Sequence, residues 1–270
     1  MKGPNAITNN FFKEMPECAP TIDGDEWSIV YDFLSSIMTE AFVVLDFEQK
    51  NFRYIPNHDL ILCGYTQETP KNLGYDFFKN IIHPNDISFG IEIYNIVLQS
   101  LNNNEWLADQ INYFSFLLRV KSSLSSDNKS NYLMTYVKLK PRWLNEQLRY
   151  GICMLSVSVI RKQDNQLCAH YKNLDHSNYS FKTKEWTHYP FSPLSKRQKE
   201  MLVWAQQGFS LKETAVKMGV SDKTIESIRC ALFDKFGVNT IEQAIQYASN
   251  RRLIYHTYSV QSETIHKMRK

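Results

Sequence analysis

The sequence predicts two domains of different class: an α+β unit of five strands and several short helices, then an all-α unit of four helices. Three observations carry this. Residues that start and stop helices alternate at short intervals between Leu194 and Thr240. Five runs rich in Val, Ile, Phe and Tyr lie between Ala41 and Ile160, two before and three after a block of helical periodicity. The 270 residues suffice for two ordinary domains, and a hydrophobic content of 43% supports a buried core.

Residues 1–24, with Pro4, Pro16 and Pro20, read as an irregular arm. From Glu26 onward Trp27, Val30, Tyr31, Leu34, Ile37 and Met38 recur at helical spacing on one face. That face either packs on its own domain or pairs with the same helix of a second chain. Ala41–Phe47 and Phe52–Ile55 read as strands separated by the polar Glu48–Asn51. Leu60–Thr66 is short helical material closed by a turn at Gly64, and Asp76–Ile82 is a short apolar helix stopped by His83-Pro84-Asn85-Asp86. Pro84 restricts His83 and opens a helix through Ile87, Ile91, Tyr94, Val97, Leu98 and Leu101. Three strands follow, at Asn112–Lys121, Tyr132–Lys140 and Tyr150–Ile160. Phe114, Phe116, Leu118 and Val120 alternate with Tyr113 and Leu117, so periodicity does not separate a pocket face from a packing face. Residues 163–190 form the connection. Leu167–Tyr171 and Tyr179–Lys184 could pair as a hairpin there, and Trp186, Tyr189 and Phe191 predict packing against a neighbour.

The C-terminal unit is the most legible. Ser195 with Gln198, Ser210 with Glu213 and Thr240 with Gln243 each fit a capping box, and Gly208, Gly219 and Gly237 sit where left-handed C-terminal caps belong. Met218-Gly-Val-Ser221 leaves room for only a sharp turn, and Ala215 is small where two helices must approach. This is a helix-turn-helix pattern whose third helix, Asp222 to about Phe236, would enter a DNA major groove. On that helix Ile225, Ile228, Leu232 and Phe236 share a core face. Lys223, Ser227, Cys230 and Asp234 lie opposite with Glu226 beside them, facing the groove.

From about Leu194 to Ala248 the chain resembles the LuxR-type (GerE-like) DNA-binding domain. The match runs through Leu194, Ser195, Arg197, Glu200, Leu202, Gly208, Ser210, Lys212, Glu213, Ala215, Gly219, Ser221, Thr224, Ile225, Gly237 and Val238. The resemblance implies phosphate contacts from Lys212 and Thr224. The chain departs from the family at Glu226 and Cys230, where relatives often carry Lys or another groove-reading residue, and at Ile228, where they carry His. Arg229 stands at a usually apolar position; its stem can follow the core edge and leave the guanidinium wet. Glu226 can accept from a cytosine amino group, though phosphate repels it.

Residues 27–162, with Gly64-Tyr-Thr66, Phe77-Phe78 and Ile82-His-Pro-Asn-Asp86, resemble a PAS domain. The resemblance implies a five-stranded antiparallel sheet with short helices around a small pocket. The expected map is an arm at 1–24, a PAS-like sensor or dimerisation domain at 25–162, a linker at 163–190, a LuxR-type domain at 191–256 and a basic tail at 257–270. Such a fusion implies a bacterial transcription regulator. Its expected partners are double-stranded DNA, a second copy of the chain, RNA polymerase and a small-molecule ligand of unknown contacts. No cofactor is expected. Cys63 lies outside any flavin-photosensing Asn-Cys-Arg-Phe-Leu-Gln run, His83 reads as a turn cap, and His58 is only a weak axial candidate.

Other classes find little support. No apolar run approaches the ~18 residues of a spanning helix. The first ten residues lack the apolar stretch of a signal peptide. Five scattered cysteines without a Cys-x-x-Cys pair indicate neither a zinc ribbon nor a disulfide framework, and suggest a reducing cytoplasm. No catalytic constellation is present, so no enzyme is expected; Cys168 and His170 are two potential ligands without companions. Residues 184–270 hold 14 Lys and Arg against 8 Asp and Glu, whereas residues 1–183 hold 17 against 20. A basic end on a slightly acidic body suits a module that meets phosphate. The alternative is a protein-interaction module in which the PAS-like domain binds a partner and DNA readout is secondary.

Overall fold

A computed structural model describes residues 24–102, 110–122, 132–144, 147–160 and 166–254. The expected arm before Gly24 and the expected basic tail lie outside them. The chain divides into two compact units, Met1–Thr39 and Glu40–Lys270.

The described part of the first unit, residues 24–39, consists mainly of helix α1, Gly24–Ile37. Trp27 stacks on Tyr31 at 5.9 Å, and Ile29, Phe33 and Ile37 are each at least 60% exposed. Its apolar residues thus extend beyond the single face that periodicity marked.

The second unit opens with β1 (Ala41–Asp46) and β2 (Asn51–Tyr54). Asp46 accepts from the amides of Glu48 and Gln49, fixing the turn between them, and pairs with Arg149 at 2.9 Å. Four short helical pieces follow: α2 (Asp59–Leu62), α3 (Glu68–Leu73), a 3-10 turn at Gly74–Phe77, and α4 (Phe78–Ile81). The long α5, Pro84–Asn102, precedes β3 (Ile111–Lys121), β4 (Tyr132–Leu144) and β5 (Gln147–Val157).

The sheet has eight strands, not five. Residues 167–189 fold as β6 (Leu167–Tyr171), β7 (His176–Ser180) and β8 (Glu185–Tyr189), and extend the sheet beyond β3. The order is β2-β1-β5-β4-β3-β6-β7-β8, with every neighbouring pair antiparallel. The sequence marked β6, but the expected partner at Tyr179–Lys184 falls across the end of β7 and the turn after it.

One face of the sheet carries the core with α2–α5. Val43, Leu45, Phe114, Leu118, Val120, Leu139, Cys153, Leu167 and Ala169 meet Phe77, Ile81, Phe89, Ile93 and Val97 there, and Trp186 packs against them. Burying these side chains provides the main stabilisation of the sheet unit, each Val, Leu, Ile or Phe being worth roughly 1.5–3 kcal/mol. The Ile82-His-Pro-Asn-Asp86 stretch is a clasp. His83 N donates to Arg119 O, while Asp86, fully buried, accepts from the Arg119 amide at 2.9 Å and from its guanidinium. Gly151 lets the sheet pack closely, since a Cβ there would lie 2.6 Å from the Phe47 ring and force it to shift.

The last four helices are α6 (Lys196–Gln206), α7 (Leu211–Lys217), α8 (Asp222–Phe236) and α9 (Ile241–Asn250). They enclose a separate core of Leu194, Met201, Leu202, Ala215, Ile225, Leu232, Ala244 and Ala248. Ser195 and Ser210 form complete capping boxes with Gln198 and Glu213. Thr240 caps α9 through Gln243 N, but the Gln243 side chain accepts from Asn239 N instead of closing the box on Thr240. Gly208, Gly219 and Gly237 all have φ between +61° and +88°, as their positions at helix ends require.

Candidate functional site

The turn between α7 and α8 is drawn tight by Val220 N donating to Ala215 O at 3.0 Å and Gly219 N to Val216 O at 3.1 Å. Ala215 is 1% exposed, leaving room for no larger side chain where the helices meet. Ser221, which the sequence reading placed only in the turn, caps α8 by accepting from Thr224 N.

Helix α8 buries Ile225 and Leu232, with Ile228 and Phe236 partly buried beside them. Lys223, Ser227, Cys230 and Asp234 are exposed on the other side. Lys212 is exposed on α7, while Thr224 and Glu226 are half-buried. Two of these groups are internally engaged: Ser227 Oγ donates to Lys223 O at 3.0 Å, and the Thr224 and Ser221 hydroxyls lie 2.8 Å apart.

Arg229, with 39% of its side chain exposed, makes contacts that the sequence reading did not include. Its Nη2 is 2.7 Å from Glu226 Oε2, its guanidinium lies over the Phe233 ring at 5.7 Å, and its buried Nε has no partner among the described residues. The guanidinium therefore folds back along α8 and offsets the acidic charge that sequence reasoning assigned to the groove.

A second feature lies between the sheet and its helices: a cavity of about 240 Å³ walled by strands β1–β5, by α2, α4 and α5, and by the 3-10 turn. Phe116, Leu118 and Val120 face it, whereas Tyr113 lies on the opposite sheet face, which settles what periodicity left open. Tyr136 and Met154 are not among its walls. Its phenols and its thiol stay uncharged near neutral pH. Burial raises the phenols of Tyr75 and Tyr94 and pushes the Cys153 thiol up to about 12. Tyr75 donates to Asp46 O at 2.9 Å, and Lys79, at the wall, pairs with Asp76 at 2.6 Å. Gly90 of α5 borders the space, and a Cβ there would touch only Leu118, at 3.9 Å.

The histidines weighed as ligands are otherwise engaged. His58 Nδ1 caps α2 by accepting from Leu60 N, and His83 Nδ1 accepts from Asn85 N. His170 Nε2 lies 2.8 Å from Ser115 Oγ, while Cys168 Sγ is 2.9 Å from Asn178 Oδ1. Among the described residues no three His, Cys, Asp or Glu side chains converge as a metal site would need. None of the described helices is long and apolar enough to cross a membrane.

Residues 192–248 match the family model of bacterial regulatory proteins, luxR family. With capped helices, glycine stops and a tight α7–α8 turn, α6–α9 form a LuxR-type helix-turn-helix domain. The chain is similar to the oxygen regulatory protein NreC of Staphylococcus aureus, 35% identical over 65 residues, or 24% of this chain and 30% of NreC. It thus spans about 30% of the length of the curated relatives it matches. Among solved structures, the response regulator ChrA of a heme-sensing two-component system is 33% identical over 24% of this chain and 33% of its own, with a TM-score of 0.24. A Vibrio cholerae VqmA dimer solved without target DNA is 14% identical over 83% of this chain and 88% of its own, with a TM-score of 0.31.

Proposed function

We propose that this chain is a bacterial DNA-binding transcription regulator, with α8 as the groove-reading helix. The observation that carries this is the exposed row Lys223, Ser227 and Cys230, opposite buried Ile225 and Leu232, in a LuxR-type domain. Lys212, Lys223 and Thr224 would meet phosphate, and Ser227, Glu226 and Cys230 the base edges. Arg229 tempers the Glu226 charge, so a carboxylate in the groove is less costly than its sequence suggests. RNA polymerase is the proposed further partner and the cytoplasm the proposed location.

The sheet unit is proposed as a PAS-like sensor, supported by the strand order β2-β1-β5-β4-β3 and the cavity above it. The apolar walls and un-ionised phenols and thiol suit a small uncharged ligand and disfavour an anion. A second copy is proposed to join through α1. The boundary expected within 163–190 is proposed to lie after β8, where Pro190 and Ser192-Pro193 are exposed.

Titration of labelled operator and nonspecific duplex at two salt concentrations tests the DNA reading. The expected outcome is binding whose affinity falls steeply with salt. No salt-dependent binding to any duplex would instead favour the protein-interaction module. For the cavity, mass spectrometry of small molecules retained by the purified chain should find one lost in Gly90→Leu, which projects a side chain into the space.

A further inference from the structure

The sheet face opposite the cavity carries a cluster that the proposed function leaves unused. Tyr113 (β3), Tyr136 and Lys138 (β4), His170 (β6), His176 (β7) and Tyr189 (β8) share it by register. The rings form a stack: Tyr113 on His170 at 4.4 Å, His170 on His176 at 6.3 Å, and His176 on Tyr189 at 5.1 Å, all within 23° of parallel. The C-terminal end of α9 rests on this row. Tyr113 Oη donates to Asn250 O at 3.1 Å, and Arg251 Nη1 lies 3.3 Å from His176 Nδ1. Gln246 adds bonds to the end of β5, donating to Val157 O at 3.3 Å and accepting from Val159 N at 3.2 Å.

A guanidinium is always charged and can only donate. The Arg251 contact therefore requires a lone pair on His176 Nδ1, hence a neutral ring. We propose that His176, with His170 behind it, is a proton-operated latch: neutral, it seats the end of α9 on the sheet; protonated, it releases the LuxR-type domain.

The groups facing the two rings mostly oppose charge on them. His176 meets Arg251 from α9, His170 from β6 and His188 from β8, with Asp175 the one acidic neighbour. His170 meets Arg251, His176 and Lys138, the last 3.9 Å from Glu40, and lies against Ser115 and Tyr113. Arg252 bears on Tyr113 and Lys138. Burial and then Arg251 lower both histidines, His176 to about 4. A free histidine titrates near 6.5, so the seated state binds fewer protons than the released one. Seating is therefore at full strength above about pH 6.5 and weakens as pH falls toward 4. At pH 5.5, one unit below the free value, His176 alone shifts the balance about tenfold toward release.

The test uses the full chain with Cys18, Cys168 and Cys230 changed to Ser and nitroxides on Lys172→Cys and Glu242→Cys. Pulsed electron paramagnetic resonance measures their separation from pH 8 to pH 5. We expect one narrow distance at pH 7.5 and a released population that grows about tenfold by pH 5.5. His176→Gln keeps an amide acceptor without a titrating charge and should flatten that response. Arg251→Glu should reverse its sign, because a protonated His176 would then attract α9. The latch is overturned if His176→Gln responds to pH as the parent does, or if Arg251→Glu keeps the parental slope.

Discussion

At Asp86 a carboxylate is withdrawn from water between the start of α5 and strand β3, where the Arg119 amide and guanidinium receive it. Because 30% of the Arg119 side chain is exposed, losing Asp86 costs chiefly the acceptor of the Arg119 amide, at about 1–3 kcal/mol. Asp86→Ala should lower the denaturant midpoint of the sheet unit accordingly, as read by urea unfolding. The Ile82-His-Pro-Asn-Asp86 run stood out in the sequence, but its role as a clasp did not, because Arg119 lies 33 residues away in sequence. The same limit hid the Arg251–His176 contact, across 75 residues, whereas the Glu226–Arg229 pair, three residues apart, is a contact that helical spacing alone predicts. At the proposed interface Lys212→Ala should weaken specific and nonspecific duplexes alike and reduce the salt slope by about one. Ser227→Ala should instead spare nonspecific affinity and relax the preferred sequence. Quantitative binding at two salt concentrations separates these outcomes.

The elements divide by how local their causes are. Helices α6–α9 were legible because caps and stops act within four residues: Ser195 with Gln198, Ser210 with Glu213, Gly237 after Phe236. Ser195→Ala should cost about 1 kcal/mol and lower the thermal midpoint of the helical domain without changing its fold, as followed by circular dichroism. Strands β7 and β8 were not legible as a pair. His176-Ser-Asn-Tyr-Ser180 has little strand propensity of its own, and pairing on both edges, not side-chain preference, makes it a strand. The cavity was expected only by resemblance. Its walls come from five strands, three helices and a 3-10 turn, and no local pattern reports such a convergence.

At the scale of the molecule, the exposed apolar side chains among the described residues concentrate on α1, where Trp27, Ile29, Val30, Phe33, Leu34 and Ile37 are each more than a third exposed. One helix-turn-helix contacts few base pairs, and two copies on half-sites a helical turn apart supply useful affinity. A second copy covering α1 would meet both needs. Sedimentation at micromolar concentration should then show a dimer that Leu34→Glu weakens at least tenfold; a wild type that stays monomeric with DNA present would remove α1 from this role. Limited proteolysis should cut near Pro190–Pro193 and release a helical fragment, because cores of distinct membership lie on either side.

The uninterrupted sheet has a mechanical consequence. Each step between neighbouring strands turns by roughly 20–25° in a fixed sense, so strand orientation is cumulative along the order from β2 to β8. The cavity lies under the first five strands and the helical domain follows the last three. A few degrees added at the β4–β3 or β3–β6 step would swing β8, and the chain leaving it at Pro190, through the same angle. At the far end of α8 that rotation becomes a displacement measured in ångströms. The sheet would then work as a torsion bar whose angle is taken up where Gln246, Asn250 and Arg251 seat α9 on β5, β3 and β7.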